Sequence, residues 1–310
     1  MLQHEHLLGL EGWSRAELEE ILDTAREFKN LLERPIKKVP TLRGVTVVNL
    51  FFENSTRTRI SFELAEKRLS ADTVNFAAGS SSTQKGETLL DTARNIEAMK
   101  IDAVVMRHST PGAVKFLSEN LDAVMINAGD GAHEHPTQAL LDMMTLREKY
   151  GSLDGLRVAL VGDILHSRVA LSNIHGLQTL GAKVTVCAPS TLLPRHVHRL
   201  GVDVTTNLDE AISKSDVLNI LRIQLERHKH SYFPGSREYR NYFGITRERL
   251  DKNAQVDLTI MHPGPINRGV EVDSDVADSE HSVILDQVTN GVAVRMSVLF
   301  LLLGGKAVHE

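Results

Sequence analysis

The feature that most constrains the fold of this chain is a regular alternation of continuous apolar segments with helical ones. In the first half, apolar runs of strand type lie at residues 45–52, 102–106 and 123–127. The accompanying helical patterns are one that opens at Ser14, residues 61–69, 86–99 and 112–119, and one that opens at Pro136. Strands that are apolar throughout are typical of parallel sheets covered by helices on both faces. The pattern therefore predicts an α/β fold.

The same alternation restarts after residue 155. The later strand patterns are residues 157–161, 183–187, 202–205, 217–221 and 257–261. At roughly 150 residues per domain, a chain of 310 residues is expected to hold two domains. The segment Gly-Ser-Leu-Asp-Gly at 151–155 is the predicted boundary. We predict two doubly wound domains with parallel sheets, residues 1–150 and 151–289, and a closing helix at about 290–310.

Composition excludes several classes of protein. The single cysteine, Cys187, excludes an intramolecular disulfide framework and a four-cysteine zinc site. With 35 lysines and arginines against 40 aspartates and glutamates, the net charge of −5 argues against nucleic-acid and membrane-surface partners. The longest apolar run, residues 298–303, is far shorter than the roughly 20 residues of a membrane span. Since no signal-like segment is visible either, a cytoplasmic location is expected.

The first motif that can carry chemistry is Ser55-Thr56-Arg57-Thr58-Arg59, between a buried strand and a helix. A helix start offers backbone N–H groups at the positive end of the helix dipole. Hydroxyls and a guanidinium fork at that place match phosphate oxygens. The motif predicts an anion site, although a serine cap beside surface arginines fits the same residues.

A second motif, His-Glu-His-Pro-Thr-Gln at 133–138, follows a strand and opens a long helix. Pro136 suits the first helical position. His135 and Gln138 are expected to face the carboxyl ends of the strands, where open α/β sheets bind ligands. We favour polar substrate contacts over a solvated loop, and either of these over zinc, which needs three or four converging ligands.

Two further polar features precede the predicted boundary. The glycine-flanked segment 80–87 carries Lys85 and is either a mobile lid or a connector. Arg107 ends a strand at the expected ligand-facing edge, where it is a candidate anion contact or a partner in a surface salt bridge.

In the second half, Val-Gly-Asp at 161–163 lacks the Gly-x-Gly-x-x-Gly fingerprint, which argues against a nicotinamide enzyme. Arg168 follows one strand, and Arg222 with Gln224 follows another. Two such arginines can clamp both carboxylates of a dicarboxylic substrate, or they are structural. His-Pro-Gly-Pro at 262–265 predicts a tight turn whose carbonyls can face a ligand.

Taken in order, these segments resemble the aspartate/ornithine carbamoyltransferase family. The matching set, which spans residues 55–265, is Ser-Thr-Arg-Thr-Arg, the Lys85 loop, Arg-His at 107–108, His-Pro-Thr-Gln, the two arginines and His-Pro-x-Pro. The resemblance implies a carbamoyl-phosphate-binding first domain, an aspartate-binding second domain and a last helix packed back on the first. It implies no metal and no organic cofactor.

The resemblance also implies roles for individual residues. Those implied to bind carbamoyl phosphate are Ser55, Thr56, Arg57, Thr58, Arg107, His135, Gln138, Gly264 and Pro265. Those implied to bind aspartate are Lys85, Arg168, Arg222 and Gln224, with Ser81 and Lys85 entering from a neighbouring subunit of a homotrimer. The implied catalytic residues are Arg57, Thr58, Lys85, Arg107 and His135. One departure is Gly264, where the best-known members carry leucine.

The implied reaction transfers the carbamoyl group of carbamoyl phosphate to the amine of L-aspartate, early in pyrimidine biosynthesis. An ornithine-type enzyme is the nearest alternative, but its expected Ser-Met-Gly segment and late-turn cysteine are absent from the sequence. A non-catalytic homologue within a pyrimidine-pathway complex is a second alternative, and it is expected to have lost the anion-binding residues that this chain keeps. Whether regulatory or dihydroorotase chains join the trimer stays open.

Overall fold

The computed structural model describes residues 2–77, 87–224, 232–233, 235–255 and 257–304. The chain forms two compact units. The first comprises Met1–Met144 together with Thr289–Glu310, and the second comprises Thr145–Val288. Each unit is built around one parallel β-sheet.

Strands and helices alternate along the first unit. Its elements are α1 (Arg15–Leu32), β1 (Thr46–Phe51), α2 (Thr56–Arg68), β2 (Asp72–Ala77), α3 (Leu89–Glu97), β3 (Ala103–His108), α4 (Ala113–Ser118), β4 (Val124–Asp130) and the start of α5 (Pro136–Tyr150). The four strands are parallel, in the order β2-β1-β3-β4. Strand β4 is buried along its whole length, so its apolar run is what the sequence pattern detects.

Strand β2 of this unit is not indicated by the sequence pattern. Its residues, Asp-Thr-Val-Asn-Phe-Ala, mix polar and apolar side chains. Among the described residues β2 pairs with β1 alone, and Val74 is 49 % exposed. A strand whose side chains are partly exposed does not need the continuous apolar run that marks a buried one, and this explains why the pattern misses β2.

The second unit repeats the architecture with five strands. Its elements are β5 (Arg157–Val161), α6 (Arg168–Thr179), β6 (Lys183–Cys187), β7 (Asp203–Thr205), α7 (Leu208–Lys214), β8 (Val217–Ile220), α8 (Ser236–Phe243), α9 (Arg247–Asn253), β9 (Thr259–Met261) and α10 (Ser274–Ala277). The strands are parallel in the order β7-β6-β5-β8-β9. Cys187 is fully buried, and burial raises the pKa of its thiol to about 12, so it behaves as a small apolar core residue.

The last helix, α11 (Ile284–Leu303), is long and apolar enough to cross a membrane by length and composition alone, and 56 % of that apolar window is buried within the protein. It contacts α1, where the Ser297 hydroxyl donates to the Ile21 carbonyl at 2.7 Å. The rings of Phe28 and Phe300 meet edge to face, 5.7 Å apart. The helix therefore packs on the first unit, as the resemblance implied, and these contacts account for its apolar character.

The prediction of two doubly wound, parallel α/β domains is confirmed. In each sheet the strand order reverses at one place, between β1 and β3 in the first and between β5 and β8 in the second. Open α/β sheets bind ligands outside the carboxyl ends of the strands at such a switch point. The fold thus marks one candidate ligand position in each unit.

Candidate active site

At the first switch point, helix α2 begins without a side-chain cap. Ser55 is the N-cap residue, yet its side chain makes no capping hydrogen bond, and the first turn holds no acidic residue. Neither the N-cap side chain nor an acidic residue of the first turn therefore offsets the positive end of the helix dipole. Thr56 and Arg57 are exposed and Thr58 is buried. This geometry suits an anion, and it argues against the alternative in which Ser55 simply caps the helix.

Arg107 lies on the neighbouring strand at the same edge. It pairs in register with Phe51, and its carbonyl accepts the N–H of Phe52 at 2.9 Å. Its guanidinium is held on two sides, by Nη1 donating to the Ala128 carbonyl at 3.3 Å and by Nε lying 3.4 Å from Glu53 Oε2. Only 15 % of the side chain is exposed. The strand pairing therefore brings Arg107 and the α2 start to one switch point.

His135 and Gln138 enter from the start of α5, which follows β4, the strand next to β3. His135 is buried. Gln138 Nε2 donates to Asp142 Oδ1 at 3.0 Å, one turn further along α5. This bond uses an amide proton of Gln138 and directs its oxygen away from Asp142, so Oε1 is the acceptor available to a ligand.

The other residues of the His-Glu-His motif have structural partners. His133 Nδ1 lies 3.2 Å from Asp130 Oδ2, and this hydrogen bond raises the pKa of His133. Glu134 Oε2 accepts the N–H of Leu10 at 2.8 Å. Across the described part of the chain, no group of three or more histidine, cysteine or acidic side chains is arranged to hold a metal ion. The motif thus places His135 at the carboxyl end of the sheet, and its Glu134 holds the N-terminal segment through the bond to Leu10.

The second switch point holds the arginines of the second half. Arg168 is the first residue of α6 and is buried, and Arg222 and Gln224 come directly after β8. Strands β5 and β8 are neighbours, and the Leu221 N–H donates to the Val161 carbonyl at 2.7 Å. The two arginines are therefore carried by segments that follow adjacent strands at the same end of the sheet.

Asp163 is a residue of this edge to which the sequence analysis assigned no role. It is fully buried, and its Oδ2 accepts the Gln224 N–H at 3.4 Å. Its Oδ1 lies 2.8 Å from His166 Nδ1. The preceding Gly162 has φ +126°, and a Cβ there would stand 2.7 Å from the Leu221 carbonyl oxygen. The sequence signal for Asp163 was a glycine followed by an acidic residue directly after a buried strand. The glycine permits close packing, and the acidic residue orders the segment after β8.

The His-Pro-Gly-Pro turn follows β9. Gly264 adopts φ +64°, and the Gly264–Pro265 peptide bond is cis. A left-handed backbone favours glycine over any residue with a Cβ. The positive φ therefore suits the glycine at position 264. Lys85 and Ser81, implied to come from a neighbouring subunit, lie outside the described residues.

Comparisons with known proteins agree with this arrangement. The family model described as "Aspartate/ornithine carbamoyltransferase, carbamoyl-P binding domain" matches residues 5–148. The model described as "Aspartate/ornithine carbamoyltransferase, Asp/Orn binding domain" matches residues 154–302. Together the two models cover nearly the whole chain.

Similar individual proteins carry related names. The aspartate carbamoyltransferase catalytic subunit of Gemmatimonas aurantiaca is 63 % identical over 300 residues, which are 97 % of this chain and 94 % of the relative. The subunit of the same name from Christiangramia forsetii is 62 % identical, over 97 % of each chain.

Solved structures give the same result. Aspartate transcarbamoylase from Trypanosoma cruzi, in complex with carbamoyl phosphate, superposes with a TM-score of 0.86 at 32 % identity, covering 95 % of this chain and 94 % of that one. Ornithine carbamoyltransferase from Pyrococcus furiosus superposes with a TM-score of 0.85 at 31 % identity, covering 97 % of each chain. Since both family models and relatives well above half identity span its length, this chain belongs to the aspartate/ornithine carbamoyltransferase family.

Proposed function

We propose that the protein transfers the carbamoyl group of carbamoyl phosphate to the amine of L-aspartate, giving N-carbamoyl-L-aspartate and phosphate. The observation that carries the choice of second substrate is the pair Arg168 and Arg222 at the β5–β8 switch point. Two guanidinium groups in segments that follow adjacent strands suit the two carboxylates of aspartate. The names of the relatives at 62–63 % identity support the same substrate.

In this proposal the first unit binds carbamoyl phosphate. The uncapped start of α2, with Ser55, Thr56, Arg57 and Thr58, receives the phosphate. Arg107, His135 and Thr58 face the carbonyl oxygen, on which negative charge develops when the carbamoyl carbon is attacked. Donors held in place before the reaction stabilise such charge without the cost of reorienting water.

Gln138 orients the carbamoyl amide. Because its Nε2 donates to Asp142, its Oε1 can accept a hydrogen bond from the carbamoyl NH2 group. Asp142 is itself fully buried. Burial lowers the pKa of Arg295 to about 9, and the negative charge of Asp142 acts against that lowering. The amide of Gln138 therefore has a fixed orientation that distinguishes the NH2 side of the carbamoyl group from its oxygen.

The chemical step needs no nucleophile from the protein. The uncharged amine of aspartate attacks the carbamoyl carbon and forms a C–N bond. The C–O bond to phosphate breaks, and its electron pair leaves with the phosphate. The departing phosphate accepts the proton that the amine loses. Much of the acceleration then comes from positioning the two substrates, to which Arg168, Arg222 and Gln224 contribute on the aspartate side, and the backbone at Gly264 and Pro265 on the carbamoyl side.

The test of the main proposal offers the purified protein carbamoyl phosphate with either aspartate or ornithine, and measures carbamoyl aspartate and citrulline by chromatography. We expect carbamoyl aspartate alone. Formation of citrulline would favour the ornithine-type alternative. The absence of both products at saturating substrates would contradict the proposal and favour the non-catalytic alternative.

We also propose that the active unit is a homotrimer with shared sites, located in the cytoplasm, and that the reaction belongs to pyrimidine biosynthesis. In this proposal Lys85 and Ser81 act on the site of the neighbouring subunit. The buried, unreactive thiol of Cys187 is compatible with a reducing compartment. The printed name "catalytic subunit" of the relatives leaves room for regulatory or dihydroorotase partner chains.

Mixing inactive variants tests the shared site. Lys85→Ala and Arg57→Ala proteins are combined under conditions that exchange subunits, and exchange is followed by native mass spectrometry. A mixed trimer should regain part of the wild-type activity, because one of its sites has both residues intact. Confirmed exchange without any recovery would count against sharing, and a monomeric mass for the native protein would exclude it.

A further inference from the structure

The turn at residues 262–265 is held by a buried histidine that so far has no role. The side chain of His262 is 0 % exposed. Its Nδ1 lies 2.7 Å from the backbone nitrogen of Gly264. A backbone N–H can only donate, so Nδ1 accepts and carries no proton. The ring proton of the neutral imidazole must then lie on Nε2.

Glu271 fixes the other side of this ring. Its side chain is also 0 % exposed, and its Oε1 lies 3.2 Å from His262 Nε2. With the proton on Nε2, the imidazole donates to the carboxylate. The backbone N–H of His262 donates to Gln287 Oε1 at 3.0 Å. His262 is thus held at three atoms, and its orientation in turn fixes Gly264.

Glu271 also connects this turn with the segment after β8. The same Oε1 accepts the backbone N–H of Asn267 at 2.6 Å. The side chain of Asn267 donates from Nδ2 to the Ile223 carbonyl at 3.3 Å. Ile223 is the residue between Arg222 and Gln224. One buried carboxylate therefore organises the peptide beside Gly264 and, through Asn267, the peptide between two groups proposed to bind aspartate.

We propose that Glu271 is the centre of a positioning network in which His262 sets the Gly264–Pro265 backbone and Asn267 sets the Arg222–Gln224 segment. None of these three side chains needs to touch a substrate. The network lies wholly within the second unit and keeps the carbonyls of the turn in a fixed place relative to the arginine and glutamine. This inference rests on the proposed function, because that function gives the two ends of the network their substrates.

The first test separates positioning from mere support of the fold. His262→Leu removes both ring nitrogens, and His262→Asn keeps an acceptor near the Gly264 N–H. Tyr150→Phe is the matched control, because it removes a 2.6 Å hydrogen bond to Thr259, at the opposite end of the same strand β9. We expect kcat/KM to fall about 100-fold in His262→Leu, the effect of displacing reacting groups by about 1 Å. His262→Asn should recover at least a tenth of the wild-type value, and Tyr150→Phe should stay within about twofold.

The second test separates the two ends of the network and stays informative if His262→Leu fails to fold. Asn267→Ala leaves the backbone N–H that donates to Glu271 and removes only the bond to Ile223. The KM for aspartate should rise about tenfold, as expected for the loss of one hydrogen bond. The dissociation constant of carbamoyl phosphate should stay within about twofold. An unchanged KM for aspartate, or an equal weakening of both substrates, would overturn the proposal.

Hydrogen exchange distinguishes a failed network from a failed function. A wild-type protein that makes no carbamoyl aspartate contradicts the proposed function, whatever the variants do. The amide of Gly264 should exchange at least tenfold faster in His262→Leu than in wild type and in Tyr150→Phe, because a bonded amide exchanges only when its bond opens. Equal exchange in all three proteins would overturn the network itself, even if the wild type is active.

Discussion

The two switch points are alike in topology and differ in how they present positive charge. Between β1 and β3, helix α2 starts with no side-chain cap, so its N-cap serine leaves the backbone N–H groups of the first turn to other acceptors. Between β5 and β8, helix α6 is capped by Ser167, whose Oγ accepts the Ala170 N–H at 3.2 Å. The first switch point therefore offers main-chain donors to a ligand. At the second, the N–H of Ala170 is already bonded to the Ser167 hydroxyl.

The second edge also carries a buried carboxylate. Asp163 accepts hydrogen bonds from the backbone of Gln224 and from His166. A negative group at this edge repels an anionic ligand unless cations outweigh it. Arg168 and Arg222 supply those cations from side chains, and Asp163 helps to hold one of the segments that carries them. Converging main-chain N–H donors suit a phosphate, whereas two separate guanidinium groups suit two separated carboxylates. The difference between the two switch points therefore agrees with the two proposed substrates.

The largest expected effect removes the principal side-chain cation of the first edge. Arg107→Ala should lower kcat/KM for carbamoyl aspartate formation about 1000-fold, the upper range for losing one donor to a developing oxyanion. Arg59→Ala is the control, since Arg59 lies in the same motif, is exposed and has no proposed role. Initial rates of carbamoyl aspartate formation measure both. A loss of less than tenfold in Arg107→Ala would mean that the α2 start suffices without it.

The stability of the first unit should also depend on pH, through a residue that lies away from the switch point. Glu66 of α2 is fully buried and accepts a hydrogen bond from Asn49 of β1 at 2.9 Å. Burial raises the pKa of Glu66 to about 7, from 4.5. A raised acid pKa stabilises the fold below pH 4.5, and that contribution is lost as the pH rises through 7, a change of roughly 3 kcal/mol.

Glu66→Gln keeps the shape and the bond from Asn49 but cannot ionise. Its free energy of unfolding, from urea denaturation at pH 5 and pH 8, should differ between the two pH values by less than the wild-type difference. Equal pH dependence in wild type and Glu66→Gln would show that the carboxyl of Glu66 does not titrate in this range. The second unit offers a control, because Asp216→Asn removes an ion pair with Arg157 and leaves Glu66 untouched.

At the second edge, loss of one guanidinium should affect one substrate only. Arg222→Gln is expected to raise the KM for aspartate about 100-fold, the effect of removing one partner of a charged hydrogen-bonded pair. Binding of carbamoyl phosphate, measured by calorimetry, should be unchanged. Arg157→Gln is the matched control, an arginine of the same sheet that pairs with Asp216. If Arg222→Gln weakened the binding of both substrates equally, the two switch points would not each serve one substrate.

How far the sequence predicts this molecule depends on what each residue contacts. The buried strands are recognisable because their side chains form continuous apolar runs, whereas β2 is missed because its side chains are partly exposed. The residues at the switch points are recognisable from their place at or just after the ends of strands, which is how Arg107 and Arg222 were found. Asp163, Glu271 and Asn267 were not found, because their importance lies in hydrogen bonds between segments distant in sequence. Glu271 meets His262 only after the chain has turned back on itself.

The smallest expected effects test the comparison most directly. They come from replacing two equivalent serines, one of which is expected to affect stability and the other the binding of carbamoyl phosphate. Ser167→Ala removes the α6 cap and should lower the free energy of unfolding by about 1 kcal/mol. Ser55→Ala removes no cap, so stability should change by less than about 0.5 kcal/mol. Binding should show the reverse order: carbamoyl phosphate should bind about tenfold more weakly to Ser55→Ala and with unchanged affinity to Ser167→Ala. Urea denaturation and calorimetry on both variants provide the four values. If Ser55→Ala lost stability instead of affinity, the start of α2 would be an ordinary capped helix, and the contrast between main-chain and side-chain anion binding would not hold.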